Sequence, residues 1–308
     1  MEHTPPVSRS ESPNGHQPVS FDTPVPPTPA PKASTFPWLA RLFLIPMLIV
    51  VAFVMVFVLI KFIMGSENTP VDYLSTIKLG GINQRWQAAY ELSRILARQK
   101  NPDPDGKLGT ELIEAFKSAQ NDDPRIQRYL VLAMGRMKDI RAVPVLLDAL
   151  RDDDSDTRVY AVWALGAIGD TTVVPALIVL VEDDDSAVRK NAVYTLGNLK
   201  DRRAVPALRT ALHDETEDVR WNAAIAIARF GDPGGLDILR EMLDRRHLDE
   251  QARMTEEEKQ EAMVGAIKAI AILRERSVLP VLTGISTGDP NLKVRQAAIE
   301  ALRLLRTP

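Results

Sequence analysis

A block of 31 residues repeats in register through the middle of the chain. Asp139, Asp170, Asp201 and Asp232 are evenly spaced, and so are Pro144, Pro175 and Pro206. Leu146, Leu177, Leu208 and Leu239 keep the same step, as do Arg158, Arg189 and Arg220. Self-similarity at this length marks stacked helical pairs, each able to bury its apolar side only against its neighbours. Ala161, Leu165 and Ile168 recur as Ala192, Leu196 and Leu199 and as Ala223, Ile227 and Phe230. Steps of four and three put these on one helical stripe, which reads as core. Gly166 and Gly197 are small where helices are expected to cross closely. Each aspartate after this helix falls in a tight turn. The Val-Pro that follows opens the next helix, because a first-turn proline gives up an N–H that has no partner there.

The expected architecture is all-α, a helical solenoid over residues 71–308 with about six helical pairs and a terminal half-unit around Val294–Leu305. A charged insertion, roughly 245–260, interrupts the period, and Thr255 with Glu258 reads as a capping box that restarts a helix.

The remainder of the chain is of a different kind. Residues 1–37 hold ten prolines with Ser, Thr and Gly, a composition that cannot bury enough surface to offset ordering entropy, and read as a disordered tail. Its Pro24–Pro31 stretch favours polyproline II and reads as a spacer. Leu42–Ile60 then runs for 19 residues without a charged or polar side chain. At about 1.5 Å per residue this nearly matches a hydrocarbon core of about 30 Å. The expected boundaries are a transmembrane helix over 38–64 and a linker over 65–70. Arg41 and Lys61 bracket the run, and Trp38 stands where an interfacial aromatic belongs. A cleaved signal fits less well, since the apolar run is long and Lys61-Phe62-Ile63-Met64 follows it in place of a small-residue cleavage site. Lys32 and Arg41 before the span balance Lys61 and Lys78 after it, so basic residues leave the orientation open. Signal-anchor behaviour of a lone N-terminal span favours an exported repeat region.

The net charge is −3, against the basic excess that nucleic-acid binders show. The chain has no cysteine, which removes thiolate chemistry and disulfides. No phosphate-binding loop, dinucleotide glycine motif or H-E-x-x-H occurs. Gly284-Ile285-Ser286-Thr287-Gly288 satisfies the hydrolase elbow pattern, but it sits in a repeat helix and no histidine follows it. Of four histidines only His213 and His247 lie outside the tail. The expectation is therefore no catalytic residue, no cofactor and no metal. The acidic runs at Asp122-Asp123, Asp152–Asp154, Glu182–Asp185 and Asp214-Glu215 lack the spacing of a calcium loop and read as helix N-caps.

The pattern V-R-x-x-A-x-x-A-L-G-x-I-G-D-x-x-x-V-P-x-L, read across consecutive units, resembles the HEAT-like repeat of the phycobilisome-lyase type, over about 71–308. That resemblance implies an α-solenoid and admits two functions: a non-catalytic scaffold or adaptor, or a bilin-lyase-like accessory factor of chromophore attachment. Iron hydroxylases built on related repeats use His-Glu pairs, which this chain lacks. The arginine column Arg85, Arg158, Arg189, Arg220 and Arg295 reads either as an anion-binding stripe or as a ladder in which each arginine pairs with aspartates of its own or an adjacent turn. The resemblance supports the ladder, with Arg158, Arg189 and Arg220 set against Asp170, Asp201 and Asp232.

In this repeat class the positions that the motif leaves free line the concave side. In register they include Trp86, Tyr90, Tyr129, Tyr160, Trp163, Asn191, Tyr194, Trp221, Asn222 and Arg229. Aromatics, amides and arginines in one column suit a protein-binding surface, where Trp, Tyr and Arg are enriched; the alternative is that they pack against neighbouring helices at imperfect repeat junctions. The expected partner is a protein or peptide, with Asn191 and Asn222 able to hold an extended backbone by analogy with armadillo-type solenoids. The membrane is reached through the one span. The oligomeric state is left open.

Overall fold

The computed structural model describes residues 36–63, 69–99, 103, 105–120, 122–251 and 253–306. The chain divides into two compact units, Met1–Ser66 and Glu67–Pro308. The proposed disordered tail, apart from its last two residues, and most of the proposed linker lie outside the described residues. In the first unit, α1 is one helix, Phe36–Ile63, with Pro46 inside it. Its Leu42–Leu59 stretch has a mean hydropathy of 3.2 and none of that window is buried. By length and composition it is able to cross a membrane.

The second unit is entirely helical among the described residues. It opens with α2 (Pro70–Leu79), α3 (Ile82–Leu96) and α4 (Lys107–Ser118). Four regular pairs follow: α5 (Pro124–Met137) with α6 (Val143–Ala149), α7 (Ser155–Ile168) with α8 (Val174–Val179), α9 (Ser186–Leu199) with α10 (Val205–Ala211), and α11 (Glu217–Ala228) with α12 (Leu236–Glu241). The insertion forms α13 (Arg245–Glu250), after which come α14 (Glu256–Leu273), α15 (Leu279–Gly288) and α16 (Leu292–Arg306). Taking α3 with α4 and α14 with α15, the six expected pairs and the terminal helix are present. The helix α2 at the start was not anticipated as a separate element.

Two layers result. The long helices α3, α5, α7, α9, α11, α14 and α16 pack side by side in chain order, and α4, α6, α8, α10, α12 and α15 each pack against the long helix that follows. The alanine, leucine and isoleucine stripe fills the space between the layers: Ala161, Leu165, Ala192, Leu196, Ala223 and Ile227 have no solvent exposure. Close approach within the long layer depends on missing side chains. A Cβ on Gly135 would lie 2.6 Å from the Trp163 ring, on Gly166 2.7 Å from the Thr195 methyl, and on Gly197 2.6 Å from the Ala226 Cβ. These three glycines are themselves one period apart.

The turns are fixed by polar contacts. Asp139, Asp170, Asp201 and Asp232 each accept the backbone N–H two residues on, from Arg141, Thr172, Arg203 and Gly234. Glu275 does the same with Ser277. At the start of the long helices Asp123, Asp154 and Asp185 cap free N–H groups, as three of the four acidic runs suggest. At the fourth, Thr216 is the N-cap of α11 without a side-chain bond, and Asp214 accepts the Thr216 N–H. The Thr255/Glu258 capping box is formed, with both halves bonded. Gly284–Gly288 lies within α15, and the Ser286 hydroxyl donates to the Thr283 carbonyl, so no nucleophile elbow exists there.

Candidate interaction surface

The arginine column does form a ladder, with partners other than those the sequence suggested. Arg158 grips Asp183 through Nε and Nη2 at 3.0 and 2.9 Å. Its Nη1 donates to the carbonyls of Asp152 and Asp153. One period later Arg189 grips Asp214 at 2.8 and 3.0 Å and donates to the carbonyls of Asp183 and Asp184. Each guanidinium therefore fastens its own turn and reaches the next. Asp170, Asp201 and Asp232, expected as ladder members, are turn caps instead, and Asp201 and Asp232 pair with Arg203 and Arg209. Those arginines are adjacent to the aspartates at the surface, whereas the ladder arginines sit at the opposite ends of the long helices.

Electrostatics follow this geometry. Burial raises the Asp214 carboxyl, but the bonds from Arg189 and from the Thr216 N–H outweigh it and hold it below the ordinary 3.8. The Asp201 carboxyl, bonded by the Arg203 side chain and N–H, is lowered to about 2. The ladder then breaks. In register with Asp183 and Asp214 stands Arg245, so Arg220 meets no carboxylate there. Arg220 instead donates to the carbonyls of Asp214 and Glu215. Arg245 takes over the ladder role, bonding Asp289 at 3.1 and 2.9 Å.

The column of motif-free positions is only partly open. Tyr90 is 42% and Tyr194 50% exposed. Tyr129, Tyr160 and Trp163 are half-buried and pack against the core. Trp221 is 4% exposed, which corrects its placement on an outward face. It shares a stripe with Ile225, one turn on, and Ile225 lies against Gly265 of α14. That stripe is covered by the neighbouring helix. Trp163 likewise packs over Gly135 of α5. The positions that the motif leaves free therefore also line the crossings between consecutive long helices.

What remains in the column is a discontinuous ribbon of four separate contacts, each between two rings or between a ring and a guanidinium group. Tyr90 and Tyr129 meet edge to face with centroids 5.2 Å apart. Arg125 lies 4.4 Å over the Trp86 ring and Arg136 4.7 Å over Trp163. Arg229 lies 5.9 Å over Tyr194 and also donates to the Asn198 side-chain oxygen. Asn191 and Asn222 each donate an amide N–H to the carbonyl four residues back, Ala187 and Asp218. Half of each amide's donor capacity is thus spent within its own helix.

One cluster escaped the sequence reading. His247 Nε2 on α13 lies 2.9 Å from Glu217 Oε1 on α11 and 3.1 Å from Glu241 Oε1 on α12. Three donors from three successive elements leave no short-range motif. Only the register of the two layers brings them together.

Residues 110–189 and 176–257 match the family model described as HEAT repeats. No curated protein sequence matches the chain. Among solved structures, the complex of CpcE and CpcF of phycocyanin lyase from Nostoc sp. PCC7120 is similar at 19% identity and a TM-score of 0.51, over 78% of this chain and 96% of that chain. YibA of E. coli is similar at 17% identity and a TM-score of 0.48, over 75% and 91%. A designed armadillo repeat protein in complex with the peptide (KR)4 is similar at 18% identity and a TM-score of 0.42, over 78% and 100%. At 19% identity the likeness to the CpcE–CpcF complex is one of fold, and with the repeat match over residues 110–257 it makes the second unit of this chain a HEAT-like α-solenoid.

Proposed function

We propose that the chain is a non-catalytic, membrane-tethered scaffold. Its solenoid holds a protein or peptide on the open face of the long-helix layer, and α1 holds the solenoid at a bilayer. The supporting observation is the ribbon itself. Tyr90 and Tyr194 are about half exposed; Tyr90 meets half-buried Tyr129 edge to face, and the Arg229 guanidinium lies over Tyr194. Rings that are rigid, part-exposed and edged by guanidinium groups suit anchors at an interface. The tether rests on the hydropathy and length of α1, and export of the solenoid on the signal-anchor argument alone.

A photo-crosslinking amino acid placed at Tyr194 in the full-length protein, in membranes of its native cell, tests the reading. Discrete adducts with a polypeptide are expected from Tyr194. They are not expected from Val179, which is 71% exposed on a short helix. Equal adduct patterns from both positions would overturn the assignment of the face. Recovery of the protein with bound visible absorbance would favour the lyase-like alternative.

A further inference from the structure

The junction between the fifth pair and the insertion lacks the arginine–aspartate fastening that Arg158 and Arg189 give the two junctions before it. Arg220 bonds backbone carbonyls only, and Arg245 occupies the place of its carboxylate. At that same junction Glu217, Glu241 and His247 converge. Their nearest donor atoms all lie within 4.8 Å of one another, and Glu217 starts the helix that carries Arg220.

We propose that Glu217, Glu241 and His247 form a binding site for one divalent first-row transition-metal ion, such as zinc, which clips α13 to the fifth repeat. The donor set is one imidazole nitrogen and two carboxylate oxygens; zinc binds both donor types, and its open sites use three protein ligands with a water in the fourth position. Bonds of about 2.0–2.1 Å imply donor–donor edges of roughly 3.3–3.4 Å. The observed His247–Glu217 and His247–Glu241 separations of 2.9 and 3.1 Å need only small outward movements. The two carboxylates, whose donor atoms lie within 4.8 Å of each other, close onto the ion by rotation of flexible side chains. Charge points the same way. Two carboxylates meet one imidazole nitrogen, which has a single proton or a single lone pair to offer, and no lysine or arginine among the described residues pairs with either carboxylate. A divalent cation would bond all three groups and balance both charges. His247 and Glu217 side chains are about one-quarter exposed and Glu241 is at 45%, which leaves an entry path from solvent. The nitrogen donor selects against magnesium and calcium, which take oxygen shells.

The test is zinc titration of the full-length protein in detergent, by calorimetry and by competition with a chromophoric chelator. One equivalent should bind, with a rise in melting temperature, and magnesium and calcium should not displace it. Because outer-shell partners alone alter metal affinity about 10–100-fold, Glu241→Gln and His247→Gln should each weaken zinc by at least about tenfold and abolish the thermal shift. Glu241→Gln, at an exposed position, keeps the test valid if His247→Gln misfolds. The triple variant His3→Gln/His16→Gln/His213→Gln should bind as the parent does. Absence of saturable binding, or binding lost in the triple variant and retained in Glu241→Gln, would overturn the site.

Discussion

Arg189 and Asp214 form a two-bonded ion pair in which both side chains are more than nine-tenths buried, at 7% and 9% exposure. The guanidinium is further held by the carbonyls of Asp183 and Asp184, so nearly every donor is used. Removing one partner of such a pair leaves a buried charge without compensation, which costs about 3–5 kcal/mol. Arg189→Ala should therefore destabilise the central repeats by that amount in urea unfolding. Arg220→Ala removes only bonds to carbonyls and should cost about 1–2 kcal/mol. Equal losses at the two positions would show that the carboxylate contributes nothing.

The same carboxylate gives the fold an acid limit. The Asp214 pKa is lower in the folded chain than its ordinary 3.8, so the folded state binds the proton less readily than the unfolded state does. Its contribution is complete above that ordinary value and is lost as pH falls through the lower folded value. Asp154, lowered through Arg128 and Thr157 against the effect of burial, acts in the same sense. The melting temperature should be nearly flat from pH 7 to 5 and fall below about pH 4. Asp214→Asn should be less stable at neutral pH and lose less on acidification.

Glycines in the long helices separate packing from propensity. An alanine at Gly197 would bring its Cβ to 2.6 Å from the Ala226 Cβ and 3.0 Å from the Ala226 Cα, and the backbone atom cannot swing away. Overpacking of this kind costs about 1–3 kcal/mol. Gly284, within α15, has nothing within 4 Å of the added atom. There, Gly284→Ala should stabilise by about 0.5–1 kcal/mol through helix propensity. Thermal melts of the two variants should move in opposite directions.

Much of this fold is legible from the period alone, because each unit repeats both its core stripe and its turn chemistry. Asp139, Pro144 and Leu146 already state cap, helix start and core. Two things were hidden for one physical reason. The ladder acids Asp183 and Asp214 and the ring of Trp221 owe their roles to contacts between units, and the period marks that units touch without assigning which residues meet across the junction. The acidic runs read as caps, and Asp185 is one, while Asp183 two residues earlier is a counter-ion to Arg158. The cluster at His247 is hidden more deeply, since its members come from a junction where the period itself is broken.

If α1 is an anchor, the full-length protein should stay with membranes in alkaline carbonate, and a chain beginning at Ser66 should be soluble. Leu42–Leu59 has no charged residue in its window and none of it is buried. At about 1.5 Å per residue its 18 residues span roughly 27 Å, close to a bilayer core of about 30 Å. Full-length protein in the carbonate supernatant would remove the tether from the proposed function and leave the solenoid reading intact.

Trp163 and Tyr194 occupy equivalent positions one period apart and should fail in different ways. Trp163 is half-buried, packs over Gly135 of the preceding helix and lies under the Arg136 guanidinium. Its truncation opens space at a helix crossing, and loss of a buried aromatic costs about 3–5 kcal/mol, less here because the ring is only half covered. Trp163→Ala should lower the melting temperature clearly. Tyr194 is half exposed and touches the Arg229 guanidinium from outside. Its removal should change stability by no more than about 0.5–1 kcal/mol, the scale of an exposed cation–π contact. As an interface anchor, however, it should cost about 2 kcal/mol of partner affinity. A binding assay on Tyr194→Ala, with Phe in the same place as the conservative control, distinguishes the two roles. If Tyr194→Ala binds the crosslinked partner as well as the parent does, the ribbon is only the outer margin of the core, and the partner sits elsewhere on the solenoid.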